Sequence, residues 1–291
     1  MYNSEILYVY DAKLTNPNGD PDEENRPRMD YDRNINLVSD VRLKRYIRDY
    51  LQQNGYDIFV TQVNDQYVSA DERVKALEKQ ETEELLNKWI DVRLFGATMT
   101  VKGNNKTFTG PVQFNWGYSL NKVELLESSI TSHFRSNDKA KQGSIGKDYR
   151  VMFSLISFFG VVSAKRAQKT KLTSEDLHEL DKAMKYAIVD QATRSKIGQY
   201  PRLYLRVEYK DDKTYLGDFR DYINLEKEAN LRDIKECNLI IDDLVSLLLT
   251  NKEKINKIYY FEDNQLSLTN KSNKVKINEV FGELALEKIG D

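Results

Sequence analysis

The sequence predicts an α+β fold: a ferredoxin-like core that carries insertions. Three observations lead there. Residues 5–14 and 202–209 read as buried strands near the start of the chain and well beyond its middle. Two amphipathic helices begin at capping residues, Ser39 and Thr173. A strand-helix-strand opening, a later run of strands, and a helix leading into a final strand give the element order of such a core.

The elements follow in order. Residues 5–14 place Ile6, Tyr8 and Tyr10 on one side and Leu7 and Val9 on the other. Both faces are apolar, which predicts a central strand. A loop punctuated by Pro17, Pro21 and Pro27 follows, because proline cannot donate to a ladder. After Ser39, Leu43, Tyr46, Ile47, Tyr50 and Leu51 keep the spacing of a buried helical stripe, and Gly55 ends it. Residues 58–63 suit a short strand. Residues 70–95 read as one charged helix with Leu85, Leu86, Trp89 and Ile90 as its stripe. Residues 98–101 and 107–114 predict a hairpin around Gly103. Residues 131–150 lack apolar periodicity and read as a long hairpin or mobile loop. Residues 151–164 form a buried strand or strand pair. Thr173 opens a helix whose core positions are Leu177, Leu180, Ala183, Met184 and Ile188. Residues 202–209 alternate as a strand. The acidic tail from Asp218 reads as mostly helical.

Charge distribution says more than net charge, which is only -2. Residues 133–207 hold 15 Lys and Arg against 7 Asp and Glu. A basic middle between acidic ends predicts one positive face. Arg42, Lys44, Arg45 and Arg48 fall off the stripe of the first helix. Free amides and the helix dipole favour an anion at such a start. Cations there oppose the same dipole, so a compensating partner is expected. A solvated basic face is the plainer alternative.

Cys237 is the only cysteine. No intrachain disulfide and no cysteine zinc site follow, which fits a reducing compartment. The first residues lack the charged and apolar regions of a secretory signal. The apolar run at 151–164 is too short and serine-rich to span a bilayer. A cytoplasmic protein without membrane association or cofactor is expected.

Familiar motifs fail. Gly143, Gly146 and Lys147 end like a phosphate-binding loop, but Lys141 and Asp148 stand where glycine and Ser or Thr are required. The same residues match the short clamp of KH domains, a pattern common by chance. The aromatic signature of standard RRM proteins is absent. Asp20, Asp22, Asp30 and Asp32 can gather a cation but miss calcium-loop spacing. A solvated loop paired with Arg26 and Arg28 is the favoured reading. His178 reads as a helix surface residue, and His133 lies in the basic segment.

The run NPNGDPDEENRPRMD followed by LVSDVRLKRYIRDYL resembles the opening of the family-seven CRISPR-associated proteins. DVRLFGA at 91–97, TGPVQFNWGYSL at 109–120, GVVSA at 160–164 and TRSKIGQYPRLYLRVEY at 193–209 recur at fitting distances. The resemblance covers the chain to about residue 210 and is nearest to the type I-B branch. It implies a modified RRM-like palm, with a fingers insertion within 57–106 and a thumb hairpin within 129–150, all in one domain. Residues 218–291 are an extension without a matching motif. It implies a backbone subunit of a type I Cascade complex in the RAMP superfamily. Copies stack head to tail along a guide RNA, each thumb displacing a base. Further implied partners are target DNA read through the guide, a large subunit, a small subunit and a subunit capping the guide 5′ end.

Sequence-independent grip on RNA needs phosphate contacts from cations and amides. The candidates are Arg42, Lys44 and Arg45 at the helix start; Arg135, Lys139, Lys141 and Lys147 in the thumb; Lys165 and Arg166; Arg194, Lys196 and Gln199; and Gln113. Phe134 is a candidate base wedge or a core residue. Related type III backbone subunits cut RNA with an aspartate in a similar loop. The motifs here are nearer to type I, so a non-catalytic role is expected. A metal-dependent ribonuclease using the acidic loop and a KH-like regulator are the alternatives.

Overall fold

The computed structural model describes residues 1–77, 81–101, 104–131 and 145–290. The chain is mixed α+β. Its elements are β1 (Ser4–Thr15), β2 (Ile35–Val38), α1 (Asp40–Gln53), α2 (Ala70–Lys75), α3 (Thr82–Lys88), α4 (Ile90–Phe95), β3 (Gly96–Val101) and β4 (Asn104–Thr109). There follow β5 (Val112–Phe114), β6 (Gly117–Ser119), β7 (Leu125–Thr131), β8 (Ile145–Val162), α5 (Ala164–Thr170), α6 (Ser174–Asp190) and β9 (Gln199–Tyr209). The tail holds β10 (Asn224–Leu225), β11 (Asn238–Ile240), α7 (Asp242–Thr250), β12 (Ile255–Glu262), β13 (Ser267–Asn270), β14 (Asn273–Val275) and β15 (Leu286–Lys288).

The main sheet runs β15-β12-β9-β1-β8-β6-β2 and ends on the ladder Met29–Asp30. β5 and β7 also pair with β8. β1 is central, as its two apolar faces require: Ser4–Thr15 pairs antiparallel with β8 on one side and β9 on the other. Ile6, Tyr8, Tyr10 and Ala12 pack against Leu43, Tyr46 and Ile47 of α1 and Leu180, Ala183 and Met184 of α6. Leu7 and Val9 face a second core made with Phe219, Ile234, Leu239 and Leu244 of the tail. The tail therefore covers the face of the sheet opposite α1 and α6.

Buried charge is paired, as desolvation demands. The carboxylate of Asp181 on α6 accepts from Arg206 Nε at 2.8 Å and from the Tyr204 hydroxyl at 2.6 Å. Burial works against the Arg206 charge, but Asp181 outweighs it and holds the guanidinium firmly protonated. Arg202 joins Asp11 and Asp263 across β9, β1 and the end of β12.

Several expectations change. The segment 58–63 is not a strand: Phe59 and Val60 donate their amides to the Asp91 carboxylate instead of a neighbouring strand. The expected helix over 70–95 breaks into α2, α3 and α4, with Trp89 extended between the last two. One straight helix would hold Val74 about three or more turns away from Leu85 and Trp89. Broken, it gathers them with Phe59, whose ring lies 4.8 Å from that of Trp89, into a small core of their own. The hairpin over 98–114 is β3 with β4, and β5 is a separate strand on β8. The tail is not mostly helical. Its only α-helical pieces among the described residues are α7 and the turn Ile277–Val280. Strands extend the main sheet and build a second one, β10-β11-β13-β14.

Candidate nucleic-acid interface

The Leu14 end of β1 collects cations from four segments. Ser39 caps α1 by accepting from the Arg42 amide at 3.3 Å. Asn18 Oδ1 accepts from both the amide and the hydroxyl of Ser39 at 2.9 Å. The start of the proline-rich loop is thereby fastened over the helix start. The Arg42 guanidinium stacks on the Tyr46 ring, 4.3 Å from its centroid.

Lys196 lies beside it. Its Nζ donates to the carbonyls of Asn16 at 2.5 Å and Pro17 at 3.4 Å. Burial, and secondarily the Arg42 charge, push the Lys196 ammonium down to about 7. Gln199 is buried and holds the Lys196 carbonyl at 3.0 Å and the Tyr46 hydroxyl at 3.3 Å. It positions the lysine turn and is not open to a ligand.

The band continues to the β7–β8 hairpin, whose strands pair from Leu125↔Val151 to Thr131↔Ile145. Arg150 donates to Asp148 and to the carbonyls of Leu14 at 2.7 Å and Arg194 at 3.3 Å. Arg194 is exposed and shares Asp148 at 3.3 Å. Lys147 reaches Glu24 of the acidic loop at 3.2 Å and Glu127 at 3.9 Å. Hydrogen bonds from Tyr149 and then Lys147 hold the Glu24 carboxyl below its usual range. Arg26 stacks on Tyr149 at 4.6 Å.

The remaining candidates lie elsewhere. Lys44 was expected off the buried stripe, but it is buried: Nζ donates to Asp40 at 3.1 Å and to Gln113 Oε1 at 2.9 Å, beside the Phe95 ring. Gln113 donates in turn to the Gly110 carbonyl at 3.1 Å. Lys44 and Gln113 are thus each other's partners, fixing α1 to β5. Arg45 pairs with Asp49 at 2.5 Å and donates to the Val60 carbonyl at 2.7 Å. Arg48 is not solvated either and pairs with buried Asp91 at 2.9 Å. Lys165 and Arg166 are exposed on α5. They follow Val162, which pairs with Ser4 at the far end of β1, whereas Gln199 pairs with Ala12. At roughly 3.3 Å per residue, most of a strand length separates the two groups. Arg135, Lys139, Lys141, His133 and Phe134 lie outside the described residues.

A family model described as "CRISPR-associated protein Cas7" matches residues 2–242. The chain belongs to the Cas7 family. A Cas7 protein of Haloferax volcanii is 32% identical over 316 residues, covering 97% of this chain and 93% of the relative. Two solved chains share the fold at TM-score 0.54. One comes from a CRISPR RNA-guided surveillance complex in a pre-nicking state, with 12% identity and coverage of 97% of this chain and 98% of that one. The other comes from a CRISPR RNA-guided surveillance complex, with 14% identity and coverage of 93% and 95%.

Within this Cas7 chain two of the four loop aspartates, Asp20 and Asp30, engage their carboxylates inside the loop. Asp20 pairs with Arg28 at 2.7 Å and accepts from the Asp22 amide. Asp30 accepts from the amides of Asp32 and Arg33. Arg26, expected to pair inside the loop, reaches Glu127 at 3.7 Å and Tyr149 instead. Among the described residues no helix is long and apolar enough to cross a membrane. Sequence reasoning missed Arg150 as a member of this cationic band, and Tyr46 and Asn18 as the residues that hold Arg42 and Ser39 in place. Only the excess of cations around residue 150 signalled the first. The other two read as a core position and a turn residue.

Proposed function

We propose that this Cas7 protein is a non-catalytic, guide-RNA-binding backbone subunit of a type I Cascade complex, nearest to type I-B. One observation carries the reading: Arg42, Lys196, Arg194 and Arg150 form a continuous cationic band at one end of the sheet, and no carboxylate lies within ion-pair distance of Arg42 or Lys196 among the described residues. Such a band tracks phosphates without reading bases. The core order β9-β1-β8-β5/β6, with α1 and α6 on one face, supports the ferredoxin-like palm. The tail covers the face that an RRM would offer to RNA, so the strand runs along the sheet end.

Residues 57–106 serve as fingers and 129–150 as thumb. Copies add head to tail on the guide through a heterologous contact that does not close, and the assembly presents the guide to target DNA beside the large, small and 5′-capping subunits. The engaged carboxylates of Asp20 and Asp30 favour binding over cleavage. The test is mass measurement with RNAs of increasing length. Assemblies should grow stepwise with RNA length, and RNA recovered from the native host should carry repeat-derived ends. A fixed dimer at every length would oppose the scaffold reading. RNA cleavage lost with chelator and with Asp30→Ala would establish the ribonuclease instead.

A further inference from the structure

Leu14 is unlike the rest of β1. Its φ is 51°, in the left-handed region, where a bulky side chain is an outlier. Lys13 and Thr15 pair with Phe153 and Val151, while Leu14 has no strand partner. The surroundings hold this conformation in place. The Lys13 amide donates to the Gly198 carbonyl at 2.9 Å, and Asn16 donates to the Ser195 carbonyl at 2.9 Å. Arg150 takes up the Leu14 carbonyl. Gly198 has φ 99°, and a Cβ there would stand 2.6 Å from the Lys13 carbonyl oxygen. The turn is therefore pressed against β1.

The outcome is two aliphatic side chains turned to solvent: Leu14 is 44% exposed and Ile197 is 59% exposed. Single exposed aliphatic residues need no explanation. A strained one, bracketed with a second by backbone bonds and set among Arg150, Arg194 and Lys196, does, because local strain persists where the surroundings over-determine it.

We propose that Leu14 and Ile197 form an apolar step that receives bases of a bound single strand while the neighbouring cations hold its phosphates. Charge selects the occupant: the surrounding band suits a polyanion, and aliphatic side chains are used as wedges against base steps. The inference rests on the RNA-binding reading of this band.

The test uses the full chain, a fluorescent oligouridine and an abasic oligomer of equal length. Leu14→Asn and Ile197→Ser are combined, since asparagine accepts the left-handed backbone. The double variant should bind oligouridine about fivefold to tenfold more weakly, the size of a lost base contact. It should bind the abasic oligomer unchanged and melt no lower than the wild type. Unchanged oligouridine affinity in a chain whose wild type binds it would overturn the step and leave the RNA reading standing. Equal losses for both oligomers would overturn the step as well. So would intact oligouridine binding with lost assembly on long RNA, which would make these residues a contact between copies. A wild type that binds neither oligomer would overturn both readings.

Discussion

Lys196 should make RNA affinity depend on pH in a way that one substitution removes. Its ammonium sits at about 7 in the free protein against an ordinary 10.5, because burial and then Arg42 disfavour the charge. No carboxylate compensates it, and only the carbonyls of Asn16 and Pro17 accept from it. An RNA phosphate placed against it supplies that compensation and returns the group toward its ordinary value. The bound state then holds a proton that the free state loses above about pH 7. Affinity should be flat below pH 7 and fall by up to about one decade per pH unit above it. Between pH 6 and pH 8 the expected loss is about tenfold, or about 1.4 kcal/mol.

Linkage with folding has a definite sign. A lysine depressed in the folded state destabilises the fold once it is charged in both states. Stability should therefore rise as pH increases from about 7 toward 10.5. The assay is fluorescence anisotropy at fixed ionic strength from pH 6 to pH 9, with calorimetry in two buffers of different ionisation enthalpy to count protons taken up. Lys196→Arg keeps the charge and should abolish the slope. Histidine is the side chain that ordinarily titrates in this range, so His133→Gln serves as a control and should leave the slope intact. Equal affinity at pH 6 and pH 8, or a slope that survives Lys196→Arg, would refute the reasoning.

Further outcomes follow from the same geometry. Arg42→Glu with Arg194→Glu should weaken RNA binding and reduce the salt slope by roughly 0.7 for each lost phosphate contact, measured by titration at several salt concentrations. Lys165→Glu with Arg166→Glu, at the far end of β1, should leave the affinity for a short RNA unchanged in the same assay. Asp181→Ala strands buried Arg206 and should cost about 3–5 kcal/mol in urea denaturation. Phe219→Ala opens the core between the sheet and the tail and should cost about 3–5 kcal/mol, whereas a tail serving only as an appendage would show almost no change.

The sequence by itself determined the α+β class, the central place of β1, and the starts of α1 and α6. Each rests on local physics: two apolar faces demand neighbours on both sides, and Ser39 and Thr173 satisfy free amides just ahead of them. The ordered motifs over residues 16–209 also carried the resemblance that the Cas7 match bears out. Tertiary structure alone decided which cations belong together. Lys44 and Arg48 lie off the helical stripe, yet Gln113 and Asp91 arrive from distant segments and take them out of water. Arg166 and Arg194 belong to the same basic stretch but stand at opposite ends of the sheet, because β8 and β9 both run antiparallel to β1 and Arg166 follows the end of one, at Ser4, whereas Arg194 precedes the start of the other, at Ala12. Leu14 reads as the last residue of a strand, and only the pressure of the 195–198 turn puts it in the left-handed region and into solvent. The tail showed the same limit. Its acidic surface suggested helices, but its apolar residues had to cover the open face of a sheet built by the rest of the chain, and strands met that demand.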